Sequence, residues 1–239
     1  MQHNSQVVLF QSPPEPCSYL PHHIARNVYA DPFRAPTMDL YNLLIQKGFR
    51  RSGHHIYRPH CDGCAKCVSM RIPVERFQPN RSQRRARAAN VDLEMHIAEP
   101  RYSDEYFELY KKYLNSRHKD AGMDKPERTD FERFLICDWC DTIFCELRLD
   151  GELVAVAVTD KVNTGLSAVY TFFDPAVSQR SLGTVAILMQ IELAISLKVP
   201  FVYLGYWIYG CSKMAYKSSF SPQERFVKER WISSNSRGV

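Results

Sequence analysis

Cys61-x-x-Cys64-x-x-Cys67 sets three thiols within seven residues, and thiolates so spaced are the soft ligands that zinc and iron–sulfur clusters take. A four-ligand site needs one more donor. Ferredoxin spacing would place it at Arg71, so it must come from elsewhere. Cys17 is the remote candidate, with His60 or His54 as alternatives for a mixed site. The competing reading is a compact loop of reduced, partly buried thiols; the spacing beside Gly63 favours ligation. Cys137 and Cys140 share the two-residue gap but end an apolar helical stretch, without the strand-to-helix setting of a redox motif, so burial is expected there. Cys145, on a strand, reads as core.

Basic and aromatic residues offer a second chemistry. From Arg71 to Arg87 six arginines face one acid, Glu75, and a guanidinium fork grips phosphate oxygens from two directions. Arg81, Arg84 and Arg85 are the phosphate candidates; a solvated helix start is the alternative. Near the other end, Tyr206, Trp207, Tyr209, Lys213, Tyr216, Lys217 and Phe220 combine rings that stack on unpaired bases with cations that neutralise phosphates.

The elements that must position these groups change character near residue 100. Residues 1–99 hold seven of the eight histidines and four cysteines, and read as a small Cys- and Arg-rich N-terminal domain. Thr37 caps a short helix ending at Gly48, and extended pieces at Gly53–Arg58 and Cys67–Ile72 flank the cysteines. Residues 100–239 read as a larger domain. Ser103 caps a helix bearing Tyr106, Phe107, Leu109, Tyr110, Tyr113 and Leu114, and Thr129 with Glu132 forms a capping box before Phe131 and Phe134. Strands Thr142–Leu149 and Glu152–Val158 meet at Asp150-Gly151, a hairpin signal. Leu166–Phe173 is a third strand, Leu182–Leu197 an interior helix, and Phe201–Leu204 a buried strand. This is an α+β order with an antiparallel sheet, and it resembles the order of GNAT-type acyltransferases.

The chain has 239 residues, 45% hydrophobic and 24% charged, which excludes disordered and fibrous classes. A net charge of +5 is mild, so charge distribution matters more than its sum. No apolar run approaches the roughly 20 residues of a membrane span, and Met1–Gln11 lacks the pattern of a signal peptide. The expectation is a soluble, cytoplasmic protein with reduced thiols and no membrane partner.

Longer motifs then coincide. Cys17-Ser-Tyr-Leu20, Gly48-Phe-Arg-Arg-Ser-Gly53, Tyr57-Arg-Pro-x-Cys-x-x-Cys-x-x-Cys67 and Arg81-Ser-Gln-Arg-Arg85 resemble the N-terminal domain of aminoacyl-tRNA–protein transferases. Val169-Tyr-Thr-Phe-Phe-Asp-Pro175, Ser181-Leu-Gly183, Leu204-Gly-Tyr-Trp-Ile208, Lys213-Met-x-Tyr-Lys217 and Phe220-x-Pro222 resemble that family's acyltransferase domain. The resemblance spans about residues 15 to 232, and within the family it points to the compact bacterial branch. Leu20 stands where eukaryotic arginyl transferases have the second cysteine of a CxxC.

The resemblance implies transfer of leucine from leucyl-tRNA to the α-amine of proteins that begin with Asp or Glu, marking them for degradation in the N-degron pathway. Arginyl-tRNA as donor is the alternative within the family. It implies no cofactor for the transfer, and an iron–sulfur cluster or zinc on Cys17, Cys61, Cys64 and Cys67. Tyr170, Asp174, Lys213, Tyr216 and Lys217 are the catalytic candidates. Arg50, Arg51, Arg58, Arg81, Arg84, Arg85, Arg180, Tyr206 and Trp207 are the candidates for substrate and tRNA. Two rivals come from other classes. An acetyl-CoA-dependent acetyltransferase needs paired small residues in its pyrophosphate loop, whereas Arg180-x-x-Gly183 is followed by Thr184 and Val185. A non-catalytic zinc-knuckle RNA-binding protein explains the cysteines and arginines but leaves the second half without a task.

Overall fold

The computed structural model describes residues 7–117 and 126–234. The first half runs β1 (Leu9–Gln11), β2 (Glu15–Pro16), β3 (Ile24–Ala25), β4 (Asn27–Ala30), α1 (Met38–Ile45), β5 (Arg50–Ser52), β6 (His55–Pro59), β7 (Cys67–Pro73), α2 (Arg81–Ala88) and β8 (Leu93–Ala98). There follow α3 (Asp104–Arg117), α4 (Arg128–Leu135), β9 (Thr142–Leu149), β10 (Glu152–Val162), β11 (Gly165–Phe173), α5 (Leu182–Ser196), β12 (Phe201–Ile208), α6 (Ser212–Ala215), β13 (Gln223–Val227) and β14 (Arg230–Ser234). The fold is α+β.

Eight strands form one sheet in the order β14-β13-β7-β12-β11-β10-β9-β8, and β1-β4-β6-β5 form a smaller one. The large sheet is not antiparallel throughout. β11 and β12 run parallel, because α5 carries the chain back over the sheet between them, the connection a parallel pair requires. Nor does the sheet divide at residue 100. β7 lies between β12 and β13, and β8 pairs with β9, so residues before 100 supply two of its strands.

Local signals explain most boundaries. The Thr37 hydroxyl accepts the Leu40 N–H, and the Ser103 hydroxyl accepts that of Tyr106. Asp150 and Gly151 both take positive φ, 50° and 85°, as a two-residue hairpin turn between right-twisted strands demands. The α4 start differs from expectation: the Asp130 carboxylate accepts the Glu127 N–H at 2.8 Å, so the helix begins one residue before Thr129.

Strand alternation sorts the core into two faces. Ala155 and Ala157 of β10 pack with α5, which buries Leu182, Val185, Ala186, Leu188 and Ile191, whereas Val156 and Val158 pack under α3 and α4 with Tyr110, Phe131 and Phe172. α1 and the small sheet close a third cluster around Tyr41, Ile45, Ile56 and Tyr203. Among the described residues no helix is long and apolar enough to cross a membrane.

Candidate active site

The parallel pair is short. β11 and β12 are in register only from Gly165–Phe201 to Ser167–Tyr203; β11 continues to Phe173 and β12 to Ile208 without pairing to each other. One edge of each strand is thereby left open. Arg50, 5% exposed, enters this fork from β5. Its guanidinium donates to the Tyr203 carbonyl at 3.2 Å and the Ala168 carbonyl at 2.5 Å, the groups at and just beyond the point of separation. Gly205 faces it with φ +77°, and a Cβ there would stand 3.5 Å from Arg50 Nε. Glycine supplies a conformation L side chains rarely adopt, and the β7–β12 register shifts at this place.

Lys217 follows α6 and reaches the same fork. Its Nζ donates to the Tyr206 carbonyl on β12 at 2.9 Å. Burial, and then the nearby Arg50 charge, pull its ammonium down from 10.5 to about 7, because both disfavour the protonated form. The Tyr206 hydroxyl lies 3.1 Å from the Gly48 carbonyl and 3.2 Å from that of Tyr57, so its single proton has two acceptors. Burial raises the Tyr206 phenol well above its usual range, with Tyr57 adding to the effect.

The exposed arginines are tied to this segment. Asn80, which caps α2, and Gln83 both donate to the Ser219 carbonyl, at 3.2 and 3.3 Å, and Phe77 stacks on Phe220. Arg81, Arg84 and Arg85 stand exposed on α2, each within two residues of one of those anchors.

On the β11 side, Tyr170 lies among Phe134, Tyr113 and Tyr110, with ring centroids 5.0, 6.1 and 6.2 Å away. Burial drives its phenol far above the usual range, so it stays a neutral hydroxyl. Tyr216 belongs to the same neighbourhood, near Tyr113 and Arg117. Tyr110 and Phe134 also line a cavity of about 710 Å³ with Leu114, Asp130, Arg133 and the β5–β6 turn. The sequence presents these rings as packing faces of helices. Their surplus, more aromatics on α3 than one buried stripe uses, is the signal that could have marked a pocket.

Cys17, Cys61, Cys64 and Cys67 lie in one neighbourhood near the fork, but no three of their sulfur atoms come within the spacing of a shared ion. The Cys67 thiol is pushed up to about 12 by burial and then by its neighbours Cys61, Cys17, Cys64 and Cys211. Cys61 Sγ takes the Arg26 N–H at 3.4 Å, and Cys17, Cys67 and Cys211 pack with Leu20 and Ile208. His54 pairs instead with Asp138, and Cys211 is a fifth thiol that the spacing argument left out.

Other expected site residues are engaged elsewhere. Arg51 is wholly buried: it donates to both Asp160 oxygens at 2.8 Å and is closed to a phosphate. Arg180 clasps Asp92 at 2.8 and 3.0 Å, and Arg58 pairs with Glu229 at 3.0 Å. Asp174 accepts the Ala176 N–H at 2.8 Å, an ordinary turn role. Trp207 lies under Arg225, 4.1 Å from its ring centroid, and Lys213 stands exposed on α6. Cys137, Cys140 and Cys145 are buried as expected.

A half-buried lysine in the fork, beside exposed arginines, is an arrangement whose chemistry suits acyl transfer from a polyanionic carrier to an amine. Comparison narrows this class. Residues 15–85 match the model of the arginine-tRNA-protein transferase N terminus, and residues 105–227 that of its C terminus. The aspartate/glutamate leucyltransferase of Pseudomonas fluorescens (strain Pf0-1) is 47% identical over 95% of this chain and 97% of its own. That of Hahella chejuensis is 44% identical over 95% and 97%. The chain belongs to the arginine-tRNA-protein transferase family and is an aminoacyltransferase. L-PGS from Bacillus licheniformis is a looser likeness, with 12% identity and TM-score 0.45 over 77% of this chain and 58% of that one.

Proposed function

We propose that the protein transfers leucine from leucyl-tRNA to the α-amine of proteins beginning with Asp or Glu, and that it does so in the β11–β12 fork. The observation that carries the reading is Lys217, a lysine drawn to about 7 inside the fork. Parallel strands that separate after an interior crossover helix give the second half a GNAT-type reading. A coenzyme A donor is disfavoured because Val185 follows Gly183 and Thr184 and the Arg180 fork already holds Asp92.

In the reaction the acceptor nitrogen attacks the ester carbonyl, the carbon–oxygen bond to the terminal ribose breaks, and the amine's surplus proton must leave. Neutral Lys217 accepts that proton, and the departing ribose oxygen takes one as it leaves. The ester is already activated, so alignment of the two substrates supplies much of the acceleration. An N–H on the edge of β11 that β12 leaves open, near Tyr170, supplies the oxyanion donor in this reading. Tyr110, Leu114 and Phe134 suit the leucyl side chain, and Arg133 on the same cavity suits an acidic acceptor side chain. Arg81, Arg84 and Arg85 hold tRNA phosphates. With charged tRNA as donor, the reaction belongs in the cytoplasm.

Four thiols suit a soft metal by donor chemistry, and Cys17, Cys61 and Cys64 lie near enough to act on the Cys67 thiol, but their sulfur atoms would have to close up to hold one ion. Zinc or an iron–sulfur cluster bound there would crosslink the segments that carry them, and the transfer needs no electron from it. The test mixes leucyl-tRNA, the protein and peptides beginning with Asp, Glu or Ala. Leucine is expected at the N-terminus of the first two; its absence, with arginine added from arginyl-tRNA instead, overturns the donor assignment.

A further inference from the structure

Away from the fork, ligand-bearing side chains converge from two separate segments. His54 stands in the β5–β6 turn, and Cys137 and Asp138 in the loop between α4 and β9. One ligand atom from each lies within 4.8 Å of the other two, and His54 Nδ1 is 3.5 Å from Asp138 Oδ1. Zinc bonds to sulfur, nitrogen and oxygen run roughly 2.0 to 2.3 Å, which sets tetrahedral ligand atoms roughly 3 to 4 Å apart. Small side-chain adjustments therefore close this trio on one ion. From these contacts we propose that His54, Cys137 and Asp138 bind a single zinc-class divalent cation, with water in the fourth position, clipping the β5–β6 turn to the α4–β9 loop.

The backbone on both sides supports the geometry. Gly53 has φ +55°, and a Cβ there would stand 2.6 Å from the Arg133 carbonyl oxygen. Only glycine lets the turn press so closely on α4, and that approach brings His54 opposite Cys137. Cys137 is buried while His54 and Asp138 are exposed, so an ion arriving from solvent meets the two outer ligands and settles on the inner sulfur. Binding releases the Cys137 thiol proton to water and involves no oxidation. The clip touches no reacting atom, but it holds the β5–β6 turn that lines the cavity beside Arg133 and Phe134, and it secures β5, whose Arg50 fills the fork. His54, a candidate fourth ligand for the Cys61 cluster by sequence, is thereby assigned to a different site.

The test uses the full chain, purified without oxygen, stripped with chelator and titrated with Zn²⁺ and Co²⁺. Because the Cys17–Cys67 group can also bind metal, Cys61→Ser/Cys64→Ser is titrated in parallel. Expected are one equivalent of cobalt retained by that double variant, with the absorption of a tetrahedral thiolate-bound ion, and loss of one equivalent in His54→Ala or Asp138→Ala. Those two residues are exposed, so their variants keep the fold. Zinc should also slow alkylation of Cys137 in the wild type and not in Asp138→Ala, read by peptide mass. Unchanged stoichiometry and spectrum in His54→Ala, no protection of Cys137, or a Cys137–Cys140 disulfide in the anaerobic protein would each overturn the assignment.

Discussion

Arg50 and Arg51 leave β5 in opposite directions and meet opposite surroundings. Arg51 finds a carboxylate, Asp160, which also accepts from Thr142 at 2.8 Å and Tyr41 at 3.2 Å, so every charge in that pocket is answered. Among the described residues Arg50 donates only to carbonyls, those of Ala168 and Tyr203, and has no ion-pair partner beside Lys217. Both are buried, yet one joins α1 and β5 to the large sheet while the other raises the positive potential in the fork. A paired buried cation stabilises structure; a buried cation offered only dipoles changes the protonation of its neighbours.

The sharpest break of this contrast is Arg51→Ala. It leaves Asp160 charged, dry and without its cation, a loss of about 3–5 kcal/mol. Denaturant unfolding should register most of that loss. Replacing both partners by apolar residues, Arg51→Met with Asp160→Leu, should recover much of it. A small loss in the single variant would mean that Tyr41 and Thr142 suffice for Asp160.

At Arg50 the expected effect is on pH dependence. Lys217 is protonated below about 7, so a rate requiring its neutral form rises with pH through that value. The acceptor amine, titrating near 7.7 to 8.0, adds a second rise above it. Lys217→Met should lower single-turnover transfer about 100-fold and remove the inflection near 7 while leaving the amine's. Arg50→Met removes a neighbouring positive charge, so the Lys217 inflection moves to higher pH. It also bares two carbonyls, at a cost of about 1–3 kcal/mol each. An Arg50→Met profile with an unmoved inflection would separate Arg50 from Lys217.

The two arginines also mark what the sequence can reveal. The resemblance of Gly48-Phe-Arg-Arg-Ser-Gly53 offers both as substrate candidates and does not tell one guanidinium from the other. Their partners, Asp160 and the carbonyls of Ala168 and Tyr203, lie more than a hundred residues away, and no local pattern encodes such contacts. Locally determined features were legible: the caps at Thr37 and Ser103, the Asp150-Gly151 turn, and the apolar run that becomes α5. The insertion of β7 between β12 and β13 was not, because strand order is decided by pairing between distant segments. Lys217 was legible as a candidate by resemblance; its depressed ammonium follows only from burial in the fork.

Smaller effects belong to the exposed arginines. Arg81, Arg84 and Arg85 sit on the helix whose cap is bonded to Ser219, so a phosphate track there leads toward Lys217. Replacing all three by Ala should raise KM for leucyl-tRNA with little change in kcat. The slope of log affinity against log salt should become shallower by about 2, at about 0.7 per lost phosphate contact. An unchanged salt slope would return them to a solvated face.

The smallest effect is expected at Arg180, and it tests the contrast from outside the fork. Like Arg51 it holds a carboxylate with two arms, and its fork keeps the Asp92 carboxyl below the usual range. Unlike Arg51 it does so in water, where ion pairs add little. Arg180→Ala should therefore leave the melting temperature and the transfer rate near those of the wild type, and Asp92→Ala should do the same. A large loss of transfer in Arg180→Ala with Asp92→Ala unaffected would show that the guanidinium leaves Asp92 when substrate arrives. Arg180 would then belong with Arg50 among cations that act on the reaction, and a carboxylate partner would no longer distinguish structural arginines from functional ones.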